Sequence, residues 1–196
     1  MTHDHNLPTR RSARQEALLL TGTVGVGKTA TADLLGDLLA DRGVPHAVID
    51  LDRLCQAWPA PYGDPFQHRL LLANLRAVAG NYRAAGAQRL VLAGVAENTA
   101  ERNAYQEALG MPLRVCRLTA DLATVHTRLR TRHETDHDTA SLPWHLRRAE
   151  ELHLVLEAAG ISDITVDTTD LTPAQTASAV LEATHWTDAT TTDGHI

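Results

Sequence analysis

Gly22-Thr23-Val24-Gly25-Val26-Gly27-Lys28-Thr29 satisfies G-x-x-x-x-G-K-[ST] at every fixed position. Such spacing suits one kind of chemistry. The glycines let the backbone curl until several N–H groups converge on an anion. The helix that opens at the end of the loop adds its partial positive charge. Lys28 is the single lysine among 18 basic residues; the others are arginines. An ammonium is a compact point charge on a flexible stem, whereas a guanidinium is a planar fork that a tight phosphate cradle excludes. A chain that otherwise uses arginine therefore still needs lysine here. On this reading Gly22, Thr23, Gly25, Val26, Gly27 and Lys28 hold the phosphates of ATP, and the Thr29 hydroxyl ligates Mg²⁺.

Two acids, Asp50 and Asp52, follow at the end of an apolar run, 46–51. Residues two apart on an extended chain point the same way, so both can face the phosphate loop. A phosphoryl acceptor needs a carboxylate that takes its hydroxyl proton or holds it in line. Asp52 is assigned that role, and Asp50 that of a partner to a Mg²⁺-bound water or to the loop. The competing role is that both simply cap the next helix. Glu97, in RLVLAGVAEN, is the alternative base or an acceptor-binding group. Arg128 and Arg132 share a helix face at i, i+4, and Arg147 and Arg148 follow on the next helical pattern. His133, His137 and His145 lie among them, but HETDHDTAS reads as a polar tip carrying surface histidines, not as a metal site. The segment QAWPAPYGDPFQHRL places Trp58, Tyr62 and Phe66 just after Asp52. These rings either line an acceptor pocket, with Asn74 and Arg76 adding polar contacts, or plug the edge of the core.

The elements that must position these residues alternate along the chain. Apolar runs at 17–22, 46–51, 89–94, 114–120 and 164–168 read as strands buried on both faces. Helical spacing recurs at 28–42, 65–85, 99–109, 121–131, 144–158 and 173–184, with Asp121 and Thr172-Pro173 as helix starts and Gly110 and Gly160 as helix ends. Strands alternating with helices give an α/β fold with a mainly parallel sheet.

The stretch TGTVGVGKTATADLLGDLLADRGVPHAVIDLDRL resembles the opening of adenylylsulfate-kinase-like and chloramphenicol-phosphotransferase-like small-molecule kinases. The ending ITVDTTDLTPAQTASAVLEA is similar to their last strand, adenine-side loop and terminal helix, and so places Thr168 beside the base. The resemblance implies a P-loop NTPase three-layer sandwich whose five-stranded parallel sheet runs in the order 2-3-1-4-5. It also implies a lid between the fourth and fifth strands, at about 128–148. In such kinases a leucine-flanked arginine run opens the lid. Arg128 and Arg132 would then fold over the transferring phosphates, with Arg147 and Arg148 reaching in from the returning helix. The implied activity is Mg²⁺-assisted transfer from ATP to a hydroxyl of a small molecule. The acid pattern reads Asp-Leu-Asp where these families have Asp-Gly-Asp, and no Asp-Gly-x-Pro-Arg follows the third strand. The acceptor is therefore left open among metabolites, sugar-like compounds and antibiotics.

Bulk properties narrow the field. In 196 residues, 43% are hydrophobic and 21% charged, as in one ordinary globular domain. A net charge of −6 argues against a nucleic-acid surface. No apolar run reaches the ~18–20 residues of a membrane span. Cys55 and Cys116 lack metal-type spacing and read as idle thiols in a reducing cytoplasm. With no second lysine, the guanine-reading motif N/T-K-x-D cannot be written, which excludes GTPases. The expectation is a cytoplasmic monomer or homodimer: a loose lead at 1–14, one domain at 15–187, and a loose tail at 188–196. The rival reading is a nucleotide-binding regulatory or resistance module without phosphoryl transfer.

Overall fold

The computed structural model describes residues 15–64, 66–138 and 140–186; the lead and tail expected from the sequence lie outside them. The chain runs β1 (Glu16–Thr21), α1 (Lys28–Asp41), β2 (His46–Asp50), a 3₁₀ turn (Leu51–Cys55), α2 (His68–Ala84) and β3 (Arg89–Ala93). It continues through α3 (Thr99–Leu109), β4 (Leu113–Thr119), α4 (Leu122–Thr135), α5 (Leu142–Ala159), β5 (Ile164–Asp167) and α6 (Pro173–Thr184). The five strands form one parallel sheet in the order β2-β3-β1-β4-β5.

Central strand β1 shows why the apolar runs are unbroken. Ala17 and Leu19 face one layer, with Leu90, Leu92 and Val115 beside them and Leu75 of α2 and Leu109 of α3 above. Leu18 and Leu20 face the other, against Leu35 and Leu39 of α1, Leu129 of α4 and Leu181 of α6. Both faces are covered, so no position of β1 between Glu16 and Thr21 tolerates a polar residue. Each fully buried leucine contributes roughly 2 kcal/mol relative to exposure.

Strand β1 is flanked by β3 and β4, so the winding of the chain reverses there. A crevice opens at the carboxyl ends of the strands at such a point, and the loop after β1 lies in it. Helix termini follow local chemistry. Thr172 and Gln175 form a reciprocal capping box on α6. Helices α3 and α5 end at Gly110 and Gly160 in the left-handed conformation.

Two elements depart from the expectations. Helix α2 starts at His68, not 65, because the Asp64 carboxylate accepts from the N–H groups of His68 (2.8 Å) and Arg69 (2.9 Å). Helix α4 runs on to Thr135 and carries His133 inside the protein. Val125, Leu129 and His133 make one buried stripe at i, i+4 spacing, and His133 is only 4% exposed. The expectation of a surface histidine thus fails at position 133. Its Nδ1 faces the Asp138 carbonyl, and its ring packs on that of His145 with centroids 4.9 Å apart. Among the described residues, no group of three or more His, Cys, Asp or Glu could hold a metal ion, and no helix is long and apolar enough to cross a membrane.

Candidate active site

The loop between β1 and α1 takes a shape that only glycine allows at two positions. Gly22 has φ +147°, and a Cβ there would lie 2.5 Å from the Leu118 carbonyl oxygen. Gly25 has φ +83°, and its Cβ would lie 2.6 Å from Leu129 Cγ. The glycine spacing therefore lets the loop sit directly on β4 and α4.

Lys28 curls back into this loop. Its Nζ donates to the carbonyls of Gly22 (3.0 Å) and Thr23 (2.9 Å). Burial pulls its pKa down from 10.5 to about 8; Asp52 and Asp50 oppose the fall, and Arg132 deepens it. Thr29 Oγ1 donates to Asp50 Oδ2 at 3.1 Å, and Asp50 Oδ1 accepts from the Asp52 N–H at 3.0 Å. Asp50 is thus both a partner of the loop and the cap of the 3₁₀ turn, which joins the two roles left open above. That turn aims Asp52 into the cleft. Burial, and then the Asp50 charge, raise the Asp52 pKa, while Lys28 opposes the rise. Asn74 of α2 steadies the turn by donating to the Leu54 carbonyl at 2.7 Å.

One cleft of about 920 Å³ collects these groups. Gly25, Gly27, Lys28, Thr29 and Asp52 line one side; Arg128, Arg132, Trp144, His145 and Arg148 line the other. The arginines do not share one task. Arg128 lines the cleft and donates to Thr168 Oγ1 (3.1 Å) and to the Thr168 carbonyl (2.6 Å). Longer contacts reach the carbonyls of Thr169, Leu171 and Val26. These bonds tie α4 to the loop before α6 and to the phosphate loop. A recess of about 80 Å³ lies beside it, walled by Val26, Gly27, Thr31, Leu171, Pro173 and Thr176. Thr168 is buried and serves as an anchor for Arg128. Arg132 does reach the cleft, and its charge is felt at Lys28.

On the far wall Arg148 pairs with Glu97, and its Nη1 also donates to Glu151 at 3.4 Å. The structure brings together these two residues, which the sequence named separately. Arg147 is exposed and outside the lining. Arg76 pairs with Glu107 at 3.9 Å on the surface. Trp58, Tyr62 and Phe66 neither line the cleft nor plug the core; all three stand in solvent. Gln67 explains this: its amide clamps both the N–H and the carbonyl of Ala57, at 2.9 and 3.0 Å, so the intervening loop is looped outward.

Sequence reasoning missed Trp144, His145, Val95 and Leu152, all of which line the cleft. Trp144 meets the His145 ring edge-on, with centroids 5.0 Å apart. A tryptophan in an otherwise polar, arginine-rich segment was the available signal.

No protein-family model matches the chain, and no curated protein matches it. Solved structures do. The tunicamycin resistance protein of Deinococcus radiodurans aligns at TM-score 0.62 and 24% identity, covering 87% of this chain and 96% of that one. The APS kinase of Mycobacterium tuberculosis, in complex with AMPPNP and APS, aligns at TM-score 0.55 and 20% identity, covering 88% and 98%. Shikimate kinase from Acinetobacter baumannii, in complex with shikimate, aligns at TM-score 0.54 and 18% identity, covering 88% and 94%. The sheet order, the loop after β1 and these likenesses lead to one conclusion: the chain has the fold of P-loop small-molecule kinases.

Proposed function

We propose that the protein transfers the terminal phosphoryl group of ATP to a hydroxyl of a small molecule. The observation that carries this reading is the chain of contacts from Thr29 through Asp50 to Asp52, which sets the Asp52 carboxylate in the same cleft as Lys28 and Thr29. A binding module needs the loop but has no use for a carboxylate aimed at the place where phosphate would end. Structural neighbours that are kinases, one with AMPPNP and APS and another with shikimate, support the same reading.

The residues present fit the nucleotide. Glycine at 22 and 25 lets the loop curl down onto Leu118 and Leu129 with its cleft side clear, and the desolvated Lys28 ammonium lies at that loop without a hydrogen-bonded carboxylate among the described residues. The small recess beside Arg128, walled in part by Val26, Leu171 and Pro173, offers an apolar edge where a base would start to enter. Thr29 Oγ1 and Asp50 are hard oxygen donors that would hold Mg²⁺, directly or through water. When bound, Mg²⁺ supplies charge neutralisation between the outer phosphates.

In the proposed step the acceptor oxygen forms a bond to the terminal phosphorus as the bond to the bridging oxygen breaks. Asp52 takes the hydroxyl proton, and ADP leaves with the electron pair of the broken bond. The upward shift of the Asp52 pKa, caused by burial and the Asp50 charge, suits a group that must accept a proton. Lys28 and Arg132 hold charge that builds on the phosphoryl oxygens. The stretch at about 128–148, from the second half of α4 into the start of α5, acts as the lid of one catalytic domain, 15–187.

The test is purified protein with Mg²⁺-ATP and pooled hydroxylated metabolites, sugars, nucleosides and antibiotics. Mass spectrometry should find a product heavier by one phosphoryl group, absent with Lys28→Ala. Bound ATP with no transfer and no hydrolysis in any pool would favour the binding-module reading.

A further inference from the structure

Four lysine or arginine side chains line the cleft: Lys28, Arg128, Arg132 and Arg148. In the reading above, Lys28 and Arg132 serve the nucleotide, and Arg128 is tied to the loop before α6. Arg148 alone stands on the acceptor side, on α5 near Val95 and Leu152. Its guanidinium is already committed, to Glu97 behind the same wall of the cleft and to Glu151 along its own helix.

The Glu97 pair is half sunk, with 29% of the Arg148 side chain and 34% of the Glu97 side chain exposed. Solvent ions screen such a pair less than a surface one. The loop that carries Glu97 is braced as well. The Glu97 N–H donates to Glu101 Oε2 at 2.8 Å, and the other oxygen of Glu101 accepts from Asn98 Nδ2 at 3.1 Å. Glu97 is therefore held against Arg148 by its backbone as well as by charge.

A phosphate, sulfate or carboxylate on an acceptor would have to displace Glu97 from Arg148 and would meet the Asp52 charge besides. An uncharged alcohol meets neither obstacle, and an ammonium group is attracted by Asp52. We infer that the acceptor is an uncharged or ammonium-bearing alcohol, and that Glu97 enforces this choice by keeping Arg148 from anions. This rests on the kinase reading, since it presumes that the Asp52 side of the cleft receives the acceptor. Glu97 is here a specificity-determining residue, not a base.

The experiment uses the full chain saturated with Mg²⁺-AMPPNP, which fills the phosphate loop, and sulfate as the anion probe. Calorimetry is run on the wild type, Glu97→Gln and the Glu97→Gln/Arg148→Gln double variant. Glu97→Gln should bind sulfate at least about tenfold more tightly than the wild type, since it frees the Arg148 Nη2 from its closer carboxylate and leaves only the exposed Glu151 at 3.4 Å. The double variant should lose that gain. Equal sulfate binding by wild type and Glu97→Gln, whether strong or absent, overturns the inference, as does a gain that survives in the double variant. Failure of the wild type to bind Mg²⁺-AMPPNP would instead break the kinase reading, and is seen in the first titration.

Discussion

Lys28 should make nucleotide binding depend on pH in a range where an ordinary lysine would not. In the free protein its pKa lies at about 8, lowered from 10.5 chiefly by burial. Bound phosphates supply the missing negative charge, so the complex keeps the proton. At pH 9 a group with a pKa of about 8 is charged roughly one time in eleven, whereas one at 10.5 is charged ~97% of the time. Affinity for Mg²⁺-AMPPNP should therefore fall roughly tenfold between pH 7 and 9. Calorimetry at pH 8 in buffers of different ionisation enthalpy should detect uptake of about half a proton on binding. Lys28→Ala should bind weakly, with no slope. The linkage also fixes a sign for folding. Between about 8 and 10.5 the unfolded chain holds a proton that the folded one has released, so stability of the free protein rises with pH across that window. The rise is worth up to about 3 kcal/mol. A flat affinity from pH 7 to 9, or the same slope in Lys28→Ala, would refute the account.

Further outcomes follow from single contacts. Asp52→Asn should lower kcat by about 10²–10⁴ while leaving Mg²⁺-AMPPNP affinity nearly unchanged; an equal loss of both would make Asp52 a nucleotide ligand. Gly94→Ala places a Cβ 2.5 Å from Leu51 Cδ1 and 2.9 Å from Leu51 Cβ. Thermal unfolding should show a cost of about 1–3 kcal/mol, and turnover should fall as well, because Leu51 sits between Asp50 and Asp52. Arg132→Ala should leave stability within about 0.5 kcal/mol of wild type but reduce turnover by about 10²–10³. Arg128→Ala should instead lower the melting temperature, because it strands the carbonyls that Arg128 now satisfies.

Much of the fold was legible before any coordinates. The apolar runs of β1, β3 and β4 had to be doubly covered strands, since no polar alternation marks a wet face. Their bounds came within a residue or so because Gly22 and Gly94 end two of them. The end of α4 was misplaced because R-T-R-H-E-T reads as polar and mobile in isolation. It is helical in the protein because Val125 and Leu129 carry the buried stripe one turn further, to His133.

The sequence by itself determined the phosphate loop, the neighbouring pair of acids and the strand pattern. Each depends on spacing within a few residues, and local backbone geometry makes such spacing readable. Only the tertiary structure decided which partner each long side chain takes. Arg128 and Arg132 lie one helical turn apart, yet one is bound to the loop before α6 and the other faces the cleft. Arg148 meets Glu97 across 51 residues of chain. Trp58, Tyr62 and Phe66 follow Asp52 closely but point into solvent. A flexible arginine or a looped aromatic finds its contacts through the packing of distant elements, and no spacing within one segment encodes that packing.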